Sequence, residues 1–194
     1  MRPLAAVAAA ATLALAAPGH GAVPKPQIVD PTGDAVPTMS AGYDIVSALF
    51  RTEGTTTRVG RRTTYTPSRL VVTVTYAGTV PTEEVAAQVV TFDVTGCENV
   101  YLERYALGTT YGVADCIAEQ FTFNAKASGK TVTFTLPFTT IGKSYLKPGA
   151  LLSNLRTYTS IAEPVLGFET GEMVGTTNAG TVDDATTATP YRVG

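Results

Sequence analysis

"LVVTVTY", residues 70–76, alternates strictly: Leu70, Val72, Val74 and Tyr76 fall on one side of an extended chain, and Val71, Thr73 and Thr75 on the other. A side-chain period of two marks a strand with one face in a core and the other turned outward. The β-branched Val and Thr suit such a pleated surface. Working outward, the same alternation recurs. "VVTFDV" (89–94) sets Val90, Phe92 and Val94 against Thr91 and Asp93. "QFTFNA" (120–125) sets Phe121 and Phe123 against Thr122 and Asn124, and "TVTFTL" (131–136) sets Val132, Phe134 and Leu136 against Thr131, Thr133 and Thr135. Further strands are expected at Asp44–Thr52, Val100–Tyr105 and Leu151–Tyr158. Turn sequences separate the runs: "YAGTVPTEE", "VTGCEN", "KASGK" and "LKPGA". Helix signals are limited to one turn near "TTIGKSYL" or in "PTEEVAAQ". Seven or more short antiparallel strands predict an all-β fold: a two-sheet antiparallel β-sandwich, jelly-roll or immunoglobulin-like, in preference to a closed barrel.

At 194 residues with 44% hydrophobic, the chain has material for one core and one domain. Residues 1–22 read as a signal peptide and its cleavage region. Arg2 precedes an apolar run of about a dozen residues, a length that suits secretion and is too short to span a bilayer. Cleavage after Ala16 and cleavage after Gly21 both satisfy the small-x-small rule. The stretch "APGHGAVPKPQ" (17–27) is rich in Pro and Gly and reads as exposed; residues 23–42 form a leader and a first turn or strand, and 43–194 the remainder of the sandwich. No second stretch reaches membrane length and no Cys follows the signal to take a lipid, so the expected location is secreted and extracellular. Cys97 and Cys116 agree with an oxidising compartment and are read as one disulfide, worth about 3 kcal/mol on the chain-entropy model. Their spacing is not that of a redox pair, and no His accompanies them as a metal ligand. The formal charge of −2, which becomes −3 when Arg2 leaves with the signal, gives no reason to expect a nucleic-acid partner.

Catalytic chemistry finds little to stand on. The single histidine, His20, lies in the signal or the leader, so neither a Ser/His/Asp nor a Cys/His arrangement has a fixed imidazole. Two carboxylate pairs are visible, Glu83 with Glu84 and Asp183 with Asp184. A small glycosidase needs two acids facing each other across a cleft, whereas adjacent strand residues point to opposite faces. No glycine-rich loop precedes a helix to hold a nucleotide. The expectation is a protein without enzymatic activity.

The stretch "DPTGDAVPTMSAGYDIVSALF" (30–50) resembles the entry segment of family nine carbohydrate-binding modules and of the DOMON-like domains appended to some bacterial glycosidases. There, a D-P-x-G-D opening leads into (Y/F)-D-(I/L) at the start of the next strand; here the positions are Asp30, Pro31, Gly33 and Asp34, then Tyr43, Asp44 and Ile45. "LPFTTIGKSYLKPGALLSNLRTYTS" (136–160) is similar to the same group's late connection. The chain departs from these modules in having no Trp. The resemblance implies a secreted carbohydrate-binding β-sandwich with a structural calcium. It does not extend to heme, since Met39, Met173 and a leader His make a poor set of axial ligands.

Asp30 and Asp34 flank a Gly that permits a sharp turn, and gathered carboxylates and carbonyls suit Ca²⁺, which takes six to eight oxygens. Asp44 is a third candidate ligand, and Asn178, Asp183 or Asp184 of "NAGTVDDA" join if the last strand returns beside the first. The alternative is that the Asp side chains only close Asx-type turns. For a glycan, Tyr101 and Tyr105 share a strand face with Glu103 between them, about 13 Å apart at about 3.3 Å per residue, and Tyr111 follows inside the disulfide loop. Plain sheet packing explains the same tyrosines. Arg51, Arg58, Arg61, Arg62 and Arg69 cluster with Glu53 as their one acid. They suit either an anionic polymer or an exposed hairpin or edge strand whose charge discourages sheet-to-sheet aggregation. The function expected is a secreted, non-catalytic module binding polysaccharide or cell-envelope glycan. The competing expectation is an extracellular adhesion or protein-interaction domain with no glycan site.

Overall fold

The structure is a computed structural model that describes residues 24–36, 40–82, 86–105, 108–166 and 173–194, with the backbone alone for 162–166 and 173–180. The signal segment with its two cleavage positions and His20, together with Met39, Glu83, Glu84 and the side chains of Met173 and Asn178, lies outside that description.

The alternation at 70–76 is a strand, and all four of its predicted inward residues are fully buried. Twelve strands form in chain order: β1 (Ile28–Val29), β2 (Ile45–Val59), β3 (Arg62–Tyr76), β4 (Ala86–Val94), β5 (Cys97–Tyr105), β6 (Thr110–Ala114), β7 (Ile117–Phe121), β8 (Asn124–Ser128), β9 (Thr131–Pro137), β10 (Leu151–Leu166), β11 (Met173–Thr187) and β12 (Tyr191–Arg192). They make two antiparallel sheets packed face to face. One has the order β1-β2-β3-β9-β8; the other has β11-β10-β4-β5-β6-β7, with β12 pairing β10. The fold is the all-β sandwich that the alternation predicts.

Each sheet contributes one apolar face to a shared core. Leu70, Val72, Val74, Val132, Phe134 and Leu136 of the first meet Val90, Phe92, Val94, Val100 and Leu102 of the second. Phe50 of β2 abuts Phe92 of β4 edge-on at 6.4 Å, which ties the layers by a favoured aromatic geometry. Each large apolar side chain so buried contributes about 1.5–3 kcal/mol. The Cys97–Cys116 disulfide, with a Cα–Cα distance of 5.0 Å, joins the start of β5 to the β6–β7 turn, cross-linking two neighbouring hairpins at one end of the second sheet.

Three details differ from the sequence reading. "QFTFNA" is not one strand. β7 ends at Phe121 in the second sheet and β8 begins at Asn124 in the first, so the chain changes layers at Thr122 and Phe123. Phe123 stays buried and stacks on Phe134 at 6.0 Å, which is why the alternation runs unbroken across the switch. "TTIGKSYL" holds one hydrogen-bonded turn, with the Tyr145 and Leu146 amides both donating to Gly142 O, and among the described residues no helix forms. Finally, β2, β3 and β10 are far longer than expected, β11 is a long strand with no bounds expected from the sequence, and β2–β3 runs well beyond its sheet.

Candidate functional site

The two sheets meet along one side where β1, at the edge of the first, faces β11, at the edge of the second. "VDPTGDA" sits on this seam. The Asp30 amide donates to Val46 O and the Val36 amide to Val182 O, so the loop is laced to β2 on one side and to β11 on the other. Gly33 adopts φ 92°, a left-handed conformation that Gly takes without the Cβ clash other residues suffer. Its amide then donates to Asp44 Oδ2 at 2.7 Å. Asp183, on the inward face of β11, accepts from the Ile45 amide through Oδ2 and from the Asp184 amide through Oδ1 at 2.9 Å.

Carboxylate oxygens of Asp30, Asp34 and Asp183 thereby come within 4.8 Å of one another. Asp44 and Asp183 are only 6% and 7% exposed. Asp44 Oδ1 and Asp30 Oδ2 are buried with no hydrogen-bond partner. Among the described residues no Lys or Arg pairs with any of the four acids. Buried carboxylates without cations are costly, and their protonation equilibria register it. Burial, then the charges of Asp34, Asp183 and Asp44, push the Asp30 carboxyl from 3.8 up to about 6. Asp183 is raised too, by burial first, against the lowering effect of its two amide bonds. An all-oxygen set with orphaned acceptors fits a hard divalent cation, with Ca²⁺ favoured by the mixed exposure and irregular backbone. It does not fit zinc, which would want N or S ligands.

The sequence set therefore divides. Asp30, Asp34 and Asp183 converge, and Asp44 holds the turn through one oxygen while its other is unpartnered. Asp184 does not belong with them. A residue next to Asp183 on a strand faces the other way, and on the outer face Asp184 takes a two-pronged bond from Arg156, at 2.7 and 2.6 Å.

That outer face holds the predicted tyrosines. The registers place Asp184, Tyr158, Val89, Glu103 and Tyr111 in one row across β11, β10, β4, β5 and β6. Tyr101 and Tyr105 flank Glu103 on β5, and Tyr101 meets Tyr111 edge-on at 6.4 Å. All four tyrosines are half-buried. Glu103 is not the free acceptor the sequence suggests. It is 9% exposed, the Tyr105 hydroxyl donates to it at 3.0 Å, and the Tyr101 hydroxyl bonds to it as well. Burial raises its carboxyl and the two hydroxyls pull it back. These two bonds fix where the Tyr101 and Tyr105 hydroxyls sit. Sequence reasoning missed Tyr158 and Arg156, whose guanidinium lies 4.8 Å from the Tyr158 ring centre; only the β10 register brings them to the patch.

It also missed a buried polar group between the sheets at the acidic end. Gln88 and Arg104 occupy inward positions on β4 and β5, with the Arg104 guanidinium donating to Gln88 Oε1 at 2.7 Å near Tyr76 and Thr159. Comparison of the chain with family models, with curated proteins and with solved structures finds no match.

Proposed function

We propose that the chain is an extracellular, non-catalytic β-sandwich module that binds polysaccharide or cell-envelope glycan and is held closed by a calcium ion at the β1–β11 seam. The observation that carries the metal half is the convergence of Asp30, Asp34 and Asp183 within 4.8 Å beside two buried, unpartnered carboxylate oxygens. Asp30, Asp34 and Asp183 would be the carboxylate ligands, with Asp44 Oδ1 available as a fourth. The cation's contribution is charge neutralisation at a junction between layers, with no reaction step. The signal-like leader and the disulfide support an extracellular location.

The glycan half draws on the outer tyrosine face, where Tyr101, Tyr105, Tyr111 and Tyr158 offer ring surfaces and the Arg156–Asp184 pair offers donors and acceptors at its border. Aromatic faces with a polar handle suit sugar rings, which are apolar on one side and hydroxylated at the rim. The protein-interaction reading keeps one observation in its favour: Glu103, the acid best placed to receive sugar hydroxyls, is buried and already accepts from two tyrosine hydroxyls.

The deciding experiment is retention of the disulfide-intact protein on insoluble polysaccharides and purified cell walls. Retention displaced by a soluble sugar and lost in Tyr111→Ala supports the module reading. Failure on every matrix with calcium present turns the assignment to protein adhesion.

A further inference from the structure

At the end of β2 opposite the acidic seam, the β2–β3 hairpin leaves the sandwich. β1 pairs β2 only at Ser47 and Ala48, and β9 pairs β3 only from Arg69 to Thr75. From Gly54↔Pro67 to Val59↔Arg62 the two strands have only each other, an arm about 20 Å long at about 3.4 Å per residue. The departure is built in. A register shift falls between Glu53 and Gly54, Pro67 brings no amide to a neighbour, and a Cβ on Gly54 would meet Thr66 O at 2.1 Å.

The arm is cationic. Residues 51–69 carry five of the chain's nine arginines and none of its five lysines. Glu53, at the base, is held by Arg51 at 2.8 Å and Arg69 at 2.7 Å. Among the described residues Arg58, Arg61 and Arg62 therefore have no acid, and Arg58 Nε donates to Gly60 O at 3.2 Å. The ladder sets Arg58 with Thr56, Thr63 and Tyr65 on one face, and Arg62 with Thr57, Thr64 and Val59 on the other, while Arg61 is at the tip. Every residue of 54–66 is exposed. At the arm's root a groove of about 480 Å³ between Pro67, Phe138 and Leu146 is bordered by Lys143 and Lys147, which extends the positive strip toward the body.

Edge protection alone does not ask for this. Charge of either sign blunts an edge, and lysine is the usual choice. Concentrating one sign on an isolated two-stranded ribbon, itself marginal in water, adds self-repulsion to a weak element. Arginine's fork matches carboxylate, sulfate and phosphate oxygens in pairs. We infer that the β2–β3 arm is a docking surface for an anionic polysaccharide, gripped by Arg58, Arg61 and Arg62 on two faces and the tip. Nucleic acid fits less well: Tyr65 is the one exposed aromatic on the arm for stacking the bases of a single strand, and a rigid duplex would meet the excess of acids on the rest of the chain. This surface is independent of the tyrosine face.

The test uses the full disulfide-intact protein and three probes: heparin, polygalacturonate and duplex DNA, with neutral dextran as blank. Expected is binding to the first two at about 0.05 M salt that fades toward about 0.3 M, as exposed charge contacts do. Arg58→Ser/Arg61→Ser/Arg62→Ser should weaken it about tenfold or more, from the loss of three exposed charge contacts. The same triple changed to Lys, which keeps charge and ladder, should bind between wild type and the Ser form, and unfolding midpoints equal to wild type certify both folds. Unchanged affinity in the Ser variant overturns the assignment, as does duplex DNA binding as tightly as heparin. Tyr111→Ala, which tests the glycan face, should leave heparin binding intact, so the two readings fail separately.

Discussion

The two ends of β2 handle charge in opposite ways. At Ile45, Asp30, Asp34 and Asp44 from one stretch of chain meet Asp183 from β11 in a seam where Asp44 and Asp183 are largely out of water and, among the described residues, no Lys or Arg pairs with them. At Val59, three arginines from one hairpin stand in solvent with, among the described residues, no acid to pair them. Buried like charges strain the fold and wait for neutralisation; exposed ones cost the fold little and act outward. The first arrangement stabilises when filled, and the second recognises.

That contrast is broken most forcefully on β2 itself. Phe50→Ala, beside the core partner Phe92, should cost about 3–5 kcal/mol in denaturant unfolding. Arg58→Ser, eight positions along, should stay within about 0.5 kcal/mol. A comparable loss at both would mean that the arm packs against something.

At the seam, millimolar Ca²⁺ at about a hundred times its dissociation constant should add about 2.7 kcal/mol over EDTA, or about 5–10 °C in midpoint, with Mg²⁺ giving less. Asp34→Ala, at an exposed ligand, should abolish the shift and leave the EDTA midpoint unchanged or higher. A calcium shift that survives Asp34→Ala would move the metal elsewhere.

The pH profile sharpens the same point. In EDTA the folded Asp30 titrates near 6 rather than 3.8, so between those values the folded state holds a proton that the unfolded chain has released. Stability should therefore fall as pH rises from about 4 through about 6, with Asp183 acting in the same direction. Calcium should reverse the trend, its effect growing across that window as the carboxylates ionise. Asp30→Asn should flatten the EDTA profile. A flat wild-type profile would mean the acids are better solvated than their burial indicates.

The outer face should give a smaller loss than Phe50→Ala or the removal of calcium. Tyr105→Phe removes one hydroxyl from Glu103 and should cost about 1 kcal/mol, since a buried acceptor loses a donor.

Local chemistry was legible in the sequence, and long-range chemistry only by supposition. Leu70, Val72, Val74 and Tyr76 declare their face because a period of two needs no knowledge of the partner strand. The sheet switch at Thr122 and Phe123 was hidden, because a residue between two layers is buried whichever sheet claims its neighbours. Nor does a Thr-rich alternation say where neighbouring strands stop, so β2–β3 read as a hairpin but not as an arm. Asp183 and Asp184 are indistinguishable in one dimension. The register of β10 against β11 turns one inward to the seam and hands the other to Arg156. The same holds for Glu103, whose apparent freedom disappeared once the tyrosine hydroxyls were placed.

The Asp183 bond to the Ile45 amide spans 138 residues of sequence. Contacts of that separation form late, after the hairpins that bring their ends together. We predict that the seam acts as a latch that closes late in folding. A cation seated there should slow unfolding and leave the refolding rate untouched, and exchange of the Ile45 amide proton should report each opening of the latch.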